Sequence, residues 1–180
     1  MSRAYFASGC FWCVETIYES LEGVEEVYSG YAGGTTINPN YYQVMSGKTG
    51  HAEAIEIIYD SSKVSFDMLL KVFFDSHNPT TPNRQGPDYG TQYRSIAFFN
   101  NQEEKEKINN YINFLSTSSI FGKNIITEVR KIDKFYYAEE YHQDYEKKNP
   151  YNPYVQNVSK PRFNRFKQKA SSYIKIKDDH

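Results

Sequence analysis

The chain has 180 residues, enough for one domain that buries about 70% of its unfolded surface without disulfide or metal staples. Lys and Arg number 21 against 22 Asp and Glu, and a formal charge of -1 excludes a dedicated nucleic-acid binder with its basic excess. Aromatics at 17% exclude a disordered chain, and two cysteines exclude a disulfide scaffold.

The N-terminus, MSRAYFASGC, has no apolar signal-peptide core. No stretch approaches the ~18 apolar residues of a transmembrane helix, so the expected setting is a reducing cytoplasm with no membrane contact. Residues 4–8 read as a short strand entering Gly9. Residues 10–22 carry Phe11, Val14, Ile17, Tyr18 and Leu21 at helical spacing, with Gly23 as the stop. Val24 to Tyr31 is a second strand, followed by a loop holding Gly33-Gly34 and Asn38-Pro39. Residues 52–59, AEAIEIIY, are a third strand. Ser65 caps a helix bearing Phe66, Leu69, Leu70, Phe73 and Phe74.

Residues 77–93 form a long polar loop, and loops of that length are functional or disordered. Arg94 to Phe99 is a fourth strand, 101–116 an amphipathic helix, and Ile125 to Arg130 a fifth strand. A short helix around 137–146 and a Pro-rich tail complete the chain. From Lys160 to Lys177 seven Lys or Arg occur with no acid; this region, basic from about residue 156, reads as a solvated tail or terminal helix, with an RNA-binding or acidic-partner arm as the alternative. The first six elements follow the split βαβ order, so we expect one α+β domain over residues 1–180. It has a ferredoxin-like core, a mixed sheet with packed helices and long loops. No interface signature stands out, and a monomer is the default.

The sharpest local feature is Gly9-Cys10-Phe11-Trp12-Cys13 at a strand-to-helix junction. A cysteine at a helix N-terminus meets unpaired N–H groups and the positive end of the helix dipole, which favours thiolate. Cys13 lies one helical turn on, in reach of a disulfide after modest adjustment. The alternative is two buried cysteines acting as small apolar residues. Zinc is disfavoured, because His51, His77, His142 and His180 form no pair at ligand spacing. Phe11 and Trp12 make an apolar pocket suited to a methyl or thioether, or they anchor the helix in the core. Glu53 alternates onto the face of Ile55 and Ile57. If that face is buried, its carboxyl has a raised pKa and can act as a general acid; if the face of Ala54 and Glu56 is buried, Glu53 is merely solvated.

Four stretches together resemble one family, the A-type peptide methionine sulfoxide reductases. They are GCFWCVE, GYAGGTTINPNYYQVMSGKTGHAEAIEIIYD, FFDSHNPTTPNRQGPDYGTQYRSIAFF and FYYAEEYHQDY, in register from about residue 5 to 154. The resemblance implies reduction of the S epimer of methionine sulfoxide, free or in proteins, with no metal or organic cofactor. It assigns Cys10 as nucleophile and Phe11 and Trp12 as the rings around the substrate methyl. Glu53 becomes the acid for the sulfoxide oxygen, Tyr41 and Tyr93 its hydroxyl donors, and Asp88 part of a polar network. The expected product is a Cys10 sulfenic acid, resolved to a disulfide and recycled by thioredoxin.

Two departures stand out. Cys13 replaces the usual Gly, and no cysteine follows it, so Cys13 is the expected resolving thiol. His51 and His142 read as structural or packing residues, His142 also as a helix-surface one, and Arg84 as a pin for its own loop. The rival readings are a thioredoxin-type thiol–disulfide oxidoreductase, a non-enzymatic methionine-binding module and a sulfenic-acid redox sensor.

Overall fold

The computed structural model describes residues 1–178; His180, weighed above as a ligand, lies outside them. A six-stranded sheet runs in the order β7-β6-β1-β3-β2-β8. Its four inner strands are β6 (Ser95–Phe99), β1 (Ser2–Ser8), β3 (Ala52–Tyr59) and β2 (Val24–Ala32), antiparallel to one another. With α1 (Phe11–Glu19) and α3 (Phe66–Asp75) this is the expected split βαβ core. β7 (Glu128–Lys131) joins β6 in parallel, and the long return this needs is α4 (Gln102–Ser118). β8 (Phe135–Tyr137) closes the other edge against β2.

Period-two alternation divides β3 between the two faces. Ile55, Ile57 and Tyr59 join Phe6, Val14, Ile17, Leu69 and Phe73 in the main core, whereas Ala52 and Ala54 join a smaller cluster with Ala7 and Phe98. The helices therefore cover the face that Glu53 shares. α3 begins at Ser65, whose hydroxyl accepts the Met68 N–H at 3.1 Å.

Several sequence expectations are corrected. α1 ends at Glu19 rather than residue 22, and β7 begins at Glu128 rather than Ile125. The 77–93 segment is an ordered structure with a small hairpin, β4 (Arg84–Gln85) and β5 (Asp88–Tyr89), then a 3-10 turn at Thr91–Tyr93. Arg84 does pin its own hairpin, through the Gly86 carbonyl at 3.0 Å and the Tyr89 ring. A second short helix, α2 (Tyr41–Met45), lies in the segment read as loop and carries an Asn40 capping box. The helix expected at 137–146 is instead the end of β8, a 3-10 turn (Glu140–His142) and the start of the short α5 (Tyr145–Lys148). Three consecutive aromatics favour a strand once an edge is available, and that edge lies about 105 residues away in β2.

The basic C-terminal segment takes the terminal-helix reading and not the solvated-tail one. A π-helical turn (Val155–Ser159) runs into α6 (Lys160–Ala170), which buries Arg162, Phe166 and Ala170. The chain then returns to α1, where Ile176 bridges Leu21 and the Lys177 N–H donates to the Ser20 carbonyl at 2.8 Å. Spaced apolar residues made this helix amphipathic, and that face outweighs its net charge. Among the described residues no helix is long and apolar enough to cross a membrane.

Candidate active site

β1 delivers the chain to Gly9, which turns at φ +95° and places Cys10 as the N-cap of α1. A Cβ on Gly9 would lie 2.7 Å from the Gln85 side chain. Gly9→Ala is therefore expected to cost about 1–3 kcal/mol through left-handed strain and to displace Cys10. A lowered melting temperature with slowed alkylation kinetics of Cys10 is the expected readout, and an unchanged melt would contradict it.

Cys10, Phe11, Trp12, Tyr41, Glu53, Asp88, Tyr93 and Tyr154 enclose a cavity of about 160 Å³. That volume suits the head of one side chain. A larger open cleft of about 450 Å³ adjoins the cavity across Asp88 and Tyr154, and another of about 470 Å³ lies elsewhere; neither contains a cysteine. Every site residue expected from the sequence lines the small cavity except Cys13, which lies behind Cys10 on α1. Both cysteines are free thiols.

Glu53 is 2% exposed, and its Oε1 accepts the Phe11 N–H at 3.0 Å, so β3 and the first turn of α1 are tied at the nucleophile. Burial pushes the Glu53 carboxyl up to about 8, against the opposing Phe11 hydrogen bond. It is a proton donor at neutral pH, and the buried-face alternative is the one realised. Burial also raises Asp88, whose carboxylate accepts the Tyr154 hydroxyl. Tyr41 is pushed up to about 12 and Tyr93 higher still, chiefly by burial, so both remain hydroxyl donors. The Tyr93 hydroxyl faces Met45 Sδ at 3.5 Å.

The expected lowering of Cys10 is not realised. Burial raises its thiol, and the neighbouring Cys13 and Glu53 add to the rise, outweighing the helix terminus. Cys13 is lowered to about 6 by the hydrogen bond from Cys10, helped by Arg162, Ser159 and Tyr154. The two sulfurs thus titrate together, with Cys10 pushed up and Cys13 pulled down.

Trp12 is held from three sides. Its indole N–H donates to His142 Nδ1 at 3.0 Å, its ring stacks on Tyr145 at 3.7 Å, and Tyr154 meets it edge-on. Phe11 is fully buried between Tyr31 and His142, so it serves both core and cavity wall. His142 is 1% exposed, which corrects the helix-surface reading and keeps the packing one. His51 is a structural residue: its Nδ1 accepts the Gly34 N–H and its Nε2 donates to the Thr36 carbonyl. Glu139 accepts both the Tyr31 hydroxyl and the Tyr41 N–H, fixing Tyr41 at the mouth.

Sequence reasoning missed Tyr145, Glu139, Tyr154, Ser159 and Arg162. The first two lie within the FYYAEEYHQDY stretch, which pointed to the region without a role for either. Nothing local marks Ser159 or Arg162. As for metals, the carboxylates of Glu15, Glu19 and Asp144 approach one another within 4.8 Å. Lys147 already pairs with Glu19 at 3.0 Å and Asp144 at 3.6 Å, while Ser29 and the Asp144 N–H occupy both oxygens of Glu15. This is a satisfied polar cluster.

The family described as peptide methionine sulfoxide reductase matches residues 2–174. The chain is 49% identical over 160 residues to peptide methionine sulfoxide reductase MsrA of Trichodesmium erythraeum, covering 89% of this chain and 90% of that protein. Its fold is similar to reduced Mxr1 from Saccharomyces cerevisiae, with a TM-score of 0.79, 33% identity and coverage of 84% and 87% of the two chains. Mxr1 solved in complex with Trx2 gives a TM-score of 0.56 at 22% identity over 80% of this chain and 84% of the other, a likeness of fold.

Proposed function

The chain belongs to the peptide methionine sulfoxide reductase family, and from that premise we propose that it reduces methionine S-sulfoxide to methionine with Cys10 as nucleophile and Glu53 as acid. The observation that carries this reading is the tie between the two. A neutral, buried Glu53 bonds the N–H of the residue next to Cys10, with two tyrosine hydroxyls on the same small cavity.

Phe11 and Trp12 receive the methyl group, and Tyr41 and Tyr93 hydrogen-bond the sulfoxide oxygen. Charge developing on that oxygen is met by fixed donors in a site from which water is largely excluded. Cys10 attacks the sulfur while its proton passes to the Cys13 thiolate, and Glu53 protonates the oxygen. Transfer of the resulting hydroxyl to Cys10 releases methionine and leaves a sulfenic acid on Cys10, a Cys13 thiol and a Glu53 carboxylate. Asp88, held by Tyr154, orients the far wall. No step requires a metal or an organic cofactor.

Cys13 then resolves the sulfenic acid. Cys10–SOH and Cys13–SH give the Cys10–Cys13 disulfide and water, and an external dithiol restores both thiols. Thioredoxin is the proposed reductant, supported by the assembly of Mxr1 with Trx2. Cys13→Ser is expected to keep one stoichiometric turnover but to lower thioredoxin-driven cycling by about tenfold or more. Cycling of this variant at the parent rate would exclude Cys13 as the resolving thiol. The activity itself is tested by offering separate S and R epimers of a methionine sulfoxide peptide with dithiothreitol; turnover of the R epimer alone, or of neither, overturns it.

A further inference from the structure

Cys13 stands outside the substrate cavity, yet it has the richer set of donors. Its Sγ lies 2.7 Å from Ser159 Oγ and 4.0 Å from the Tyr154 hydroxyl. Ser159 is 1% exposed, and a hydroxyl so buried must spend its hydrogen on a specific partner. Arg162 is also buried and is fixed by the Ser76 carbonyl at 2.8 Å and the Ser8 carbonyl at 2.9 Å. Its guanidinium lies behind Gly9, where an added Cβ would come within 3.5 Å of Nη1. Neither Ser159 nor Arg162 lines the substrate cavity; both act only through Cys13.

The local backbone explains how these groups converge. In a regular α-helix, residues five apart point about 140° away from each other. The π-helical turn at Val155–Ser159 widens the step, so Tyr154 and Ser159 share one side and both face Cys13. Arg162 follows three residues later on the same buried face of α6.

We propose that Ser159, a positioning residue acting with Arg162, forms a thiolate cradle that makes Cys13 the ionised sulfur in both thiol steps. This rests on the reading that Cys13 resolves the sulfenic acid. In closure, Cys13 gives up to solvent the proton it took from Cys10, and its thiolate attacks Cys10 Sγ; the S–O bond breaks, and hydroxide leaves to become water with a proton from solvent. In reopening, a thiolate of the external dithiol attacks Cys10 Sγ, the sulfur that faces the cavity. The S–S bond breaks, and Cys13 departs as a thiolate into the cradle, because the sulfur of lower pKa leaves faster. The second thiol of the reductant then displaces Cys10 from the mixed disulfide. The reductant ends as a disulfide, and its two protons end on the protein thiols.

The test is Ser159→Ala. Reduced protein is given one equivalent of methionine sulfoxide, and closure of the disulfide is followed by quenching and mass spectrometry across pH. The acid limb of the closure rate is expected to move up by about one pH unit, a tenfold loss on the acid side. On the alkaline side, where loss of the Glu53 proton limits both proteins alike, the variant's rate should equal the parent's, which also shows that the variant is folded. An unshifted limb, or a loss equal at every pH, overturns the cradle. A second measurement needs no turnover. In Cys10→Ser protein the ultraviolet absorbance of the Cys13 thiolate is titrated with and without Ser159→Ala, and coincident midpoints overturn the proposal. With a reductant whose second thiol is replaced by a hydroxyl, the trapped mixed disulfide is expected on Cys10, and its capture on Cys13 contradicts the leaving-group assignment. If the parent forms no disulfide at all, the resolving role of Cys13 has failed before any Ser159 variant is made.

Discussion

Cys10→Ser is expected to abolish methionine formation even in a single turnover, a loss on the order of 10⁴-fold or more. A serine hydroxyl at this position has neither the ionisation nor the nucleophilicity of a thiol, and the Cys13 thiolate is too weak a base to activate it. The fold should persist. The substitution is close to isosteric, the Glu53 bond to the Phe11 N–H is untouched, and Cys10 makes no side-chain cap of its own. Binding is therefore expected to survive, so methionine sulfoxide should still raise the melting temperature of the variant. This separates the enzyme from the rival methionine-binding module, whose function would outlast the loss of the thiol. A variant that still yields methionine would remove Cys10 from the chemistry.

Glu53→Gln is the second large effect, with an expected loss of about 10²–10⁴-fold in the sulfoxide step. Glutamine keeps the oxygen that accepts the Phe11 N–H but has no proton to give. The pH dependence follows from the environment. Burial holds the Glu53 carboxyl at about 8, so the competent acid form is lost as pH rises through that value. On the other side, the cysteine pair must have lost one proton, and Cys13 is lowered to about 6, so the rate also falls as pH drops below it. A bell with limbs near these values is expected for single-turnover methionine formation, and the alkaline limb should vanish in Glu53→Gln. Persistence of that limb in the variant would assign it to another group.

Stability carries the same signature. The folded pKa of Glu53 lies above its ordinary value of 4.5. Its favourable contribution is therefore fully present below about 4.5 and is lost as pH rises through about 8. Glu53→Gln removes that dependence, so thermal melts should show the variant gaining on the parent between about pH 4.5 and 8 and gaining no further above it.

Much of the scaffold could be read locally. The spacing of Phe11, Val14, Ile17 and Tyr18 marked α1, Ser65 marked the start of α3, and alternation marked β3; all three lie where expected. Gly9 and Cys10 at a strand-to-helix junction also marked the head of α1, where Cys10 faces the small cavity. These features depend on residues within one or two turns of each other, where backbone geometry alone dictates who shares a face. The same limited range explains the failures. β8 needed an edge supplied by β2, and α6 needed a surface on α1, so composition alone made one look helical and the other solvated.

The residue order by itself determined the split βαβ core, the place of the dithiol at the head of α1 and the choice of side chains able to handle an oxidised thioether. Only the tertiary structure decided which face of β3 the helices cover, and with it whether Glu53 is an acid or a surface charge. It alone brought Tyr154 and Ser159, 141 and 146 positions further along the chain, against Cys13. Periodicity states which residues can be buried together. Desolvation and hydrogen bonding, which set the proton affinities of those residues, depend on what the folded chain packs against them.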